Sequence, residues 1–563
     1  MIRRTLSKLT LLLIIFSAAC TEKSSTEEQP ATIEFSGIEF NMPSIQEPVI
    51  PDYAVSITDF GAKKGGKVLN TQAFADAIEA VSKKGGGKVV IPAGIWLTGP
   101  IHLKSNLELH AETGALIVFS DNKDLYPLVE TSFEGLNTWR CMSPIYGVSI
   151  ENVAFTGTGV WDGSGDAWRY VKRSKLTASH WKKLVASGGV VNEKGDEWYP
   201  SEQFRSGMEN ADQNIRHDLT TREEFQQIRD FLRPVMVSIQ NSKQVLFDGP
   251  TFQNSPAWCL HPLVVENLIV RNVTVRNPWY SQNGDGLDIE SCKNVLVENC
   301  NFDVGDDAIC IKSGKDEDGR QRGIPCENLV IRNNTVFHGH GGVTVGSEMS
   351  GGVKNMHVSN CTFIGTDVGL RFKSNRGRGG VVEDIFISNI QMKDIPTFAI
   401  SFNLYYGGIS ASEMLAAGGT EKRSDMLPVT EETPQFKDIK ISDIIVDGAL
   451  QAVLLQGLPE MNLENISLNN MILSADQGIT IVDATGVKMT DINIETKSSD
   501  AIVMYDVNNV DVNGLDFSQN GGEGISINGS RSAHIFLKGK SEKPLSDLVS
   551  IGDEVDKSTI KLK

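Results

Sequence analysis

Residues 266–389 repeat one short phrase: ENLIVRN at 266–272, KNVLVEN at 293–299, ENLVIRN at 327–333, KNMHVSN at 354–360 and EDIFISN at 383–389. It continues as KDIKISD at 437–443, LENISLN at 463–469 and MTDINIE at 489–495. The leading polar residue falls at Asn267, Asn294, Asn328, Asn355, Asp384, Asp438, Asn465 and Asp491, at intervals of 27, 34, 27, 29, 54, 27 and 26 residues. Apolar residues alternate between the polar ones, a period of two that specifies strands, while Asn and Asp at fixed offsets specify turns. A repeat in the twenties built this way cannot bury its inward side chains alone; stacked copies can. The pattern therefore predicts an all-β chain folded as a right-handed parallel β-helix, a solenoid with Asn ladders along its turns. The Leu-x-x-Leu-x-Leu phrase of leucine-rich repeats is absent from these repeat units. The interval of 54, twice 27, marks a coil missed by the pattern or lengthened around Asn403–Thr433.

Upstream the pattern changes. VSITDFGAKKGG is followed by an amphipathic run over 71–84 that predicts one helix capping the cylinder, and strands resume through LELHAETGALIVF and VSIENVAFTGTGVWDG. Residues 166–232 interrupt them with Trp168, Trp181, Trp198, many charges and a helical stretch TTREEFQQIRDFLR. This segment is expected to be a loop and helix insertion beside a cleft, anchored by its tryptophans.

Residues 1–20 read as a targeting segment, with Arg3, Arg4 and Lys8 ahead of the apolar run from Leu9 to Phe16 and small residues before Cys20. The cysteine after small residues resembles a bacterial lipobox, which implies lipidation at Cys20 and a place in the cell envelope. The run is too short to span a bilayer. Residues 21–50 are expected to form a polar tether, 51–540 the β-helix domain and 541–563 a tail. Apart from Cys20, the seven cysteines Cys141, Cys259, Cys292, Cys300, Cys310, Cys326 and Cys361 are odd in number and fit no zinc spacing, so buried thiols are expected.

The 563-residue chain carries a formal charge of -18, which argues against nucleic acid or an anionic membrane surface as partner. An acidic substrate would need a local cluster of cations, and the coil register supplies one. Aligning GLDIE from 286, AICIK from 308, GVTVG from 342, GLRFK from 369 and AISFN from 399 sends Leu287, Ile309, Val343, Leu370 and Ile400 into the cylinder. Asp288, Cys310, Thr344 and Arg371 then face outward, as do Glu290, Lys312, Gly346 and Lys373. In the preceding turn Asp285 stands over Asp307 and Asp306 over His340, on coils roughly 4.8 Å apart. Carboxylates so crowded cannot all ionise, so at least one should hold a proton near neutral pH. A protonated acid beside ionised bases suits hydrolysis of a glycosidic bond. Arg371 and Lys373 suit a uronate carboxylate, with Lys312 and His261 as further candidate substrate contacts on the same groove.

In order, Asn283-Gly-Asp285, Gly305-Asp306-Asp307, Gly339-His340-Gly341 and Arg371-Phe-Lys373 resemble the four signatures of glycoside hydrolase family 28, the polygalacturonase family. The segment 53–100 is similar to the start of pectin-degrading β-helix enzymes. The resemblance implies that Asp306 is the general acid, that Asp285 and Asp307 activate water with inversion, that His340 tunes Asp306 through a hydrogen bond, and that Arg371 and Lys373 bind substrate. It implies no cofactor and no metal, since inverting hydrolysis needs only carboxylates and water, and it implies a pectin or oligogalacturonide partner. Gly284 stands where Thr is usual and Phe372 where Ile is usual. Similarity of 292–299, 346–355 and 374–384 to bacterial exo-acting members, with the insertion, favours attack from a chain end. A rhamnogalacturonan or xylogalacturonan hydrolase of the same family is the near alternative. A calcium-dependent pectate lyase and a non-catalytic β-helix adhesin are the distant ones.

Overall fold

The computed structural model describes residues 31–406, 426–497, 499–519, 524–540 and 544–563. Residues 1–20 with Cys20, and the first part of the expected tether, lie outside that range.

Each leading Asn or Asp of the repeat adopts a left-handed backbone conformation, from φ 52° at Asp491 to 63° at Asn267, and so does the polar residue five positions later, as at Asn272, Asn299, Asn333 and Asn360. Asn and Asp tolerate this region better than other residues with a Cβ, which is why the turns are written with them. The amides then stack: Asn294 donates to Asn267 at 3.1 Å, Asn328 to Asn294 at 3.0 Å and Asn355 to Asn328 at 3.0 Å. Between the two turns the strands pair in parallel without a slip, Leu268 with Val295, Val295 with Leu329 and Leu329 with Met356. The inward residues of all coils form one continuous apolar core. Replacing Asn328 by Ala should cost about 2 kcal/mol, from left-handed strain and two lost ladder bonds; an unchanged midpoint in urea unfolding would show that the ladder contributes nothing.

The interval of 54 is a single lengthened coil. Ile385 pairs directly with Ile439 and Ile400 with Val453, so all the extra chain lies between Asn403 and Gln435. The interval of 34 has a similar origin, its surplus forming the short helix Asp316–Arg322. At the N-terminal end the helix Thr71–Lys83 buries Phe74, Ala77, Ile78 and Val81 against the first coils, as its pattern predicts.

Two expected boundaries are corrected. Residues 31–50 are no tether: Thr32–Ile33 and Ile45–Gln46 pair antiparallel, and Ile33, Phe35, Ile38, Phe40, Met42, Ile45 and Ile50 pack on the outer wall. The wall offers them an apolar column of Ala154, Leu246, Ile269, Leu296 and Val330. Those outward apolar residues were the signal, since an uncovered wall would carry polar ones. Glu39 bonds His357 at 2.6 Å and Glu47 bonds Arg271 at 2.5 Å at the rim of the patch. Nor are residues 544–563 a tail: Val549–Ile551 and Ile560–Leu562 pair with Ile525–Asn528 and Ala533–Gly539 as a final coil.

The 166–232 insertion has its own apolar cluster, in which Trp168, Tyr199, Phe204, Phe225 and Phe231 pack with Tyr126, Leu128 and Cys141. Trp168 and Trp198 are buried anchors and Trp181 is half-buried. The expected long helix over TTREEFQQIRDFLR is shorter, Arg222–Gln227 followed by a single turn Arg229–Phe231. The seven cysteines of the described chain are free and buried.

Candidate active site

The strands Leu287–Glu290, Ile309–Lys312, Val343–Val345 and Val368–Lys373 stack in the register read from the sequence: Asp288 against Cys310, Cys310 against Thr344, Thr344 against Arg371. The turns ahead of them stack too. The Gly286 N–H donates to the Asp307 carbonyl at 2.9 Å and the His340 N–H to the Asp306 carbonyl at 3.0 Å. One oxygen from each of Asp285, Asp306 and Asp307 lies within 4.8 Å of the others.

Tight approach explains the glycines. A Cβ at Gly305 would stand 2.3 Å from Ser281 Oγ and 2.4 Å from the Pro278 carbonyl, and one at Gly341 only 2.0 Å from Thr344 Oγ1 and 2.7 Å from Asp307 Oδ1. Gly284, the departure from Thr, follows from the same turn, because a Cβ there would meet Ser281 Oγ at 1.9 Å. Phe372 is an inward residue stacked on Phe402 at 4.3 Å between ring centroids.

The three aspartates differ in environment. Asp307 is buried, and Arg371 Nη1 reaches its Oδ1 at 3.0 Å while Lys373 Nζ reaches its Oδ2 at 2.8 Å. Burial alone would raise this carboxyl, but Lys373 and Arg371 together hold it well below the usual carboxylate range. Asp285 is buried with no such partner among the described residues, and burial, then Asp288 and Asp306, push it well above the usual range. Asp306 is half-buried and accepts the N–H groups of Asn283 at 3.3 Å and Asp307 at 3.1 Å. The raised carboxyl expected from crowding is thus Asp285. Asp288, fully buried beside it with Lys312 Nζ 3.7 Å away, is pushed up by burial as well.

Three expectations are corrected. Lys312 is buried, bonded to Glu348 at 2.7 Å and lying over the Trp258 ring, so it offers nothing to a ligand. His261 is buried too, its Nε2 2.8 Å from Glu290, which Arg322 also engages. The helix Asp316–Arg322 and residues 347–350 roof these strand ends, which strand alignment alone does not reveal. The His340 ring forms no hydrogen bond to Asp306; it is half-exposed, with Nε2 3.6 Å from Asp367. Arg371 and Lys373 face the site but grip Asp307 first. The nearby cations Arg376 and Arg378 are committed to Glu460 and Asp316.

Several contributors escaped the sequence reading. Tyr406 lies over both cations, 5.7 Å from Arg371 and 5.0 Å from Lys373. Asn214 and Arg233 reach the Asn283 amide from the insertion side, at 3.0 and 2.9 Å. Trp279, 56% exposed and four residues ahead of Asn283, carries Lys175 of the insertion 4.9 Å from its ring. A cation could sit among three carboxylates, yet both Asp307 oxygens are already bonded to fixed cations, so the donor set does not favour one.

Residues 169–418 match the family model described as Glycosyl hydrolases family 28. The chain is 27% identical over 431 residues to a probable polygalacturonase of Vitis vinifera, covering 75% of this chain and 74% of the relative. It is 27% identical over 362 residues to the exo-poly-alpha-D-galacturonosidase of Dickeya chrysanthemi, covering 62% of this chain and 57% of that one. The solved structure of a hyperthermoactive exopolygalacturonase from Thermotoga maritima superposes with a TM-score of 0.61 at 32% identity, over 83% of this chain and 94% of that one. Motifs, coil register and relatives agree that this chain belongs to glycosyl hydrolases family 28 and is a glycoside hydrolase.

Proposed function

We propose that this hydrolase cleaves α-1,4-linked galacturonic acid polymers with inversion and from a chain end. The observation that carries the reading is the division of labour among the aspartates: Asp307 fixed as an anion by two cations, Asp285 disposed to keep a proton, and Asp306 half-exposed toward the cleft. Asp306 is the group able to reach a glycosidic oxygen and donate its proton as the C1–O bond breaks. Water held between Asp285 and Asp307 attacks C1 from the other side and gives its proton to Asp285 in its ionised form, whose raised proton affinity makes it the stronger base of the two. Arg371, Lys373 and the exposed Trp279 beside Lys175 suit an acidic sugar, charge to carboxylate and ring to sugar face. The relatives named for exo action and the insertion against the catalytic turn support attack at an end. The leader ending at Cys20 supports a lipid-anchored location in the cell envelope.

Carboxyl oxygens within 4.8 Å of one another lie closer than the ~6.5–9.5 Å common in inverting pairs, which favours retention as a second reading. A nucleophilic carboxylate must offer a free ionised oxygen, however, and both oxygens of Asp307, the carboxylate fixed as an anion, are engaged by Arg371 and Lys373. Proton NMR of the first-formed product decides, the β-anomer marking inversion. Incubation with polygalacturonate should yield reducing ends as monomer without ultraviolet absorbance. Absorbance rising with the reducing ends would mean elimination, and products from rhamnogalacturonan alone would move the substrate.

A further inference from the structure

We propose that Asn214 and Arg233 are positioning residues for the catalytic turn, so that the insertion completes the active site rather than only bordering it. The proposal rests on the reading of Asp285 and Asp306 given above. The side-chain oxygen of Asn283 accepts two hydrogen bonds, from Asn214 Nδ2 at 3.0 Å and from Arg233 Nη2 at 2.9 Å. Arg233 also donates to the Gln282 carbonyl at 3.0 Å, the Pro256 carbonyl at 3.1 Å and Asn214 Oδ1 at 2.8 Å. Arg140 closes the frame, bonding the Arg233 carbonyl at 2.7 and 3.0 Å and the Asn214 carbonyl at 2.9 Å. Glu134 receives the Asn214 amide at 2.6 Å. From the scaffold side, Asn277 holds the Gly284 carbonyl at 3.0 Å. The residues flanking Asp285 are therefore gripped from both directions, and the grip from outside the coils comes from Asn214 and Arg233.

The held turn touches the chemistry at two points. Asn283, in the left-handed conformation at φ 53°, sends its N–H to Asp306 Oδ2 at 3.3 Å, and Asp285 follows it by two residues. Arg233 is fully buried, and among the described residues no carboxylate lies within ion-pair distance of it; burial pulls its pKa down to about 10. Burying a cation without a direct counter-ion is a poor way to gain stability. A planar fork that reads two backbone carbonyls and two amide oxygens is a good way to fix geometry. Its positive charge, toward which Asp285 is one of the nearby acids, also favours ionisation of that carboxyl as the pH rises.

The test compares Asn214→Ala and Arg233→Met with the wild type on polygalacturonate, scaled to folded protein by circular dichroism. Displacing the turn should lower kcat roughly 10- to 100-fold with KM changed less than about threefold, since the groups facing the substrate are untouched. Arg233→Met should in addition move the acid limb of the kcat/KM profile to higher pH, because Asp285 loses a cation. Unchanged kcat per folded molecule in Asn214→Ala overturns the proposal, and so does a superimposable pH profile in a folded Arg233→Met. If Arg233→Met fails to fold, Asn214→Ala decides through the split between kcat and KM. A wild type inactive on every galacturonan overturns the reading of the site, and this proposal with it; an active wild type with unaffected variants overturns this proposal alone.

Discussion

Replacing Asp306 by Asn is expected to lower kcat by about 10³- to 10⁴-fold, the upper part of the range for loss of a general acid, while fold and affinity for oligogalacturonides persist. Its carboxyl is half-exposed, accepts only two backbone N–H groups and pairs with no cation among the described residues. An amide keeps that shape and leaves no buried charge unpaired. The lost function is the proton, and an isosteric amide cannot give one. Single-turnover measurement on a reduced oligogalacturonide reads the chemical step alone. Turnover within tenfold of the wild type would remove Asp306 from the acid role and send the search to Asp285.

The same substitution one residue later should behave differently. Asp307→Asn is expected to abolish activity and also to destabilise the protein by about 3–5 kcal/mol, because it leaves Arg371 and Lys373 packed together without their counter-charge. The sign of the pH dependence follows from the direction of the shift. A carboxyl held below its unfolded value of 3.8 contributes stability that is present above that pH and lost as the pH falls toward its folded value. The gap between wild type and Asp307→Asn in urea unfolding should therefore be widest at pH 7, hold down to about pH 4 and shrink progressively only below that. Asp285, pushed the other way, penalises the fold as the pH rises above 3.8, so Asp285→Asn should be inactive yet no less stable at pH 7. Equal destabilisation by the two variants would mean that the cations near Asp307 do not set its ionisation.

These contrasts could not be read from the motif. Adjacent aspartates in Gly305-Asp306-Asp307 look alike as letters, and alternation along the coil separates them only into neighbouring columns. What distinguishes them is Lys373 and Arg371, two coils on, reaching back to one and not the other. The same limit explains His261 and Lys312. The outward direction of Lys312 was read correctly from the register, but outward from a cylinder is not exposed to solvent where a helix and a loop cover the wall. His340 lies beside Asp306 in the ladder, yet its ring turns to Asp367, a choice of rotamer that register does not constrain.

The amino-acid sequence by itself determined the coil and the convergence of the three aspartates. Left-handed turns demand Asn or Asp at fixed spacing, strand alternation has period two, and parallel pairing allows no slip when one face is apolar. These are local rules repeated many times, so each repeat confirms the next. Tertiary structure alone decided which charges stay free, what the segment 31–50 covers, and how Asn214 and Arg233 grip Asn283 across 69 and 50 residues of chain. Irregular segments carry no period to read, and their place is set by the apolar surface and the unpaired polar groups they find only once the coils have stacked.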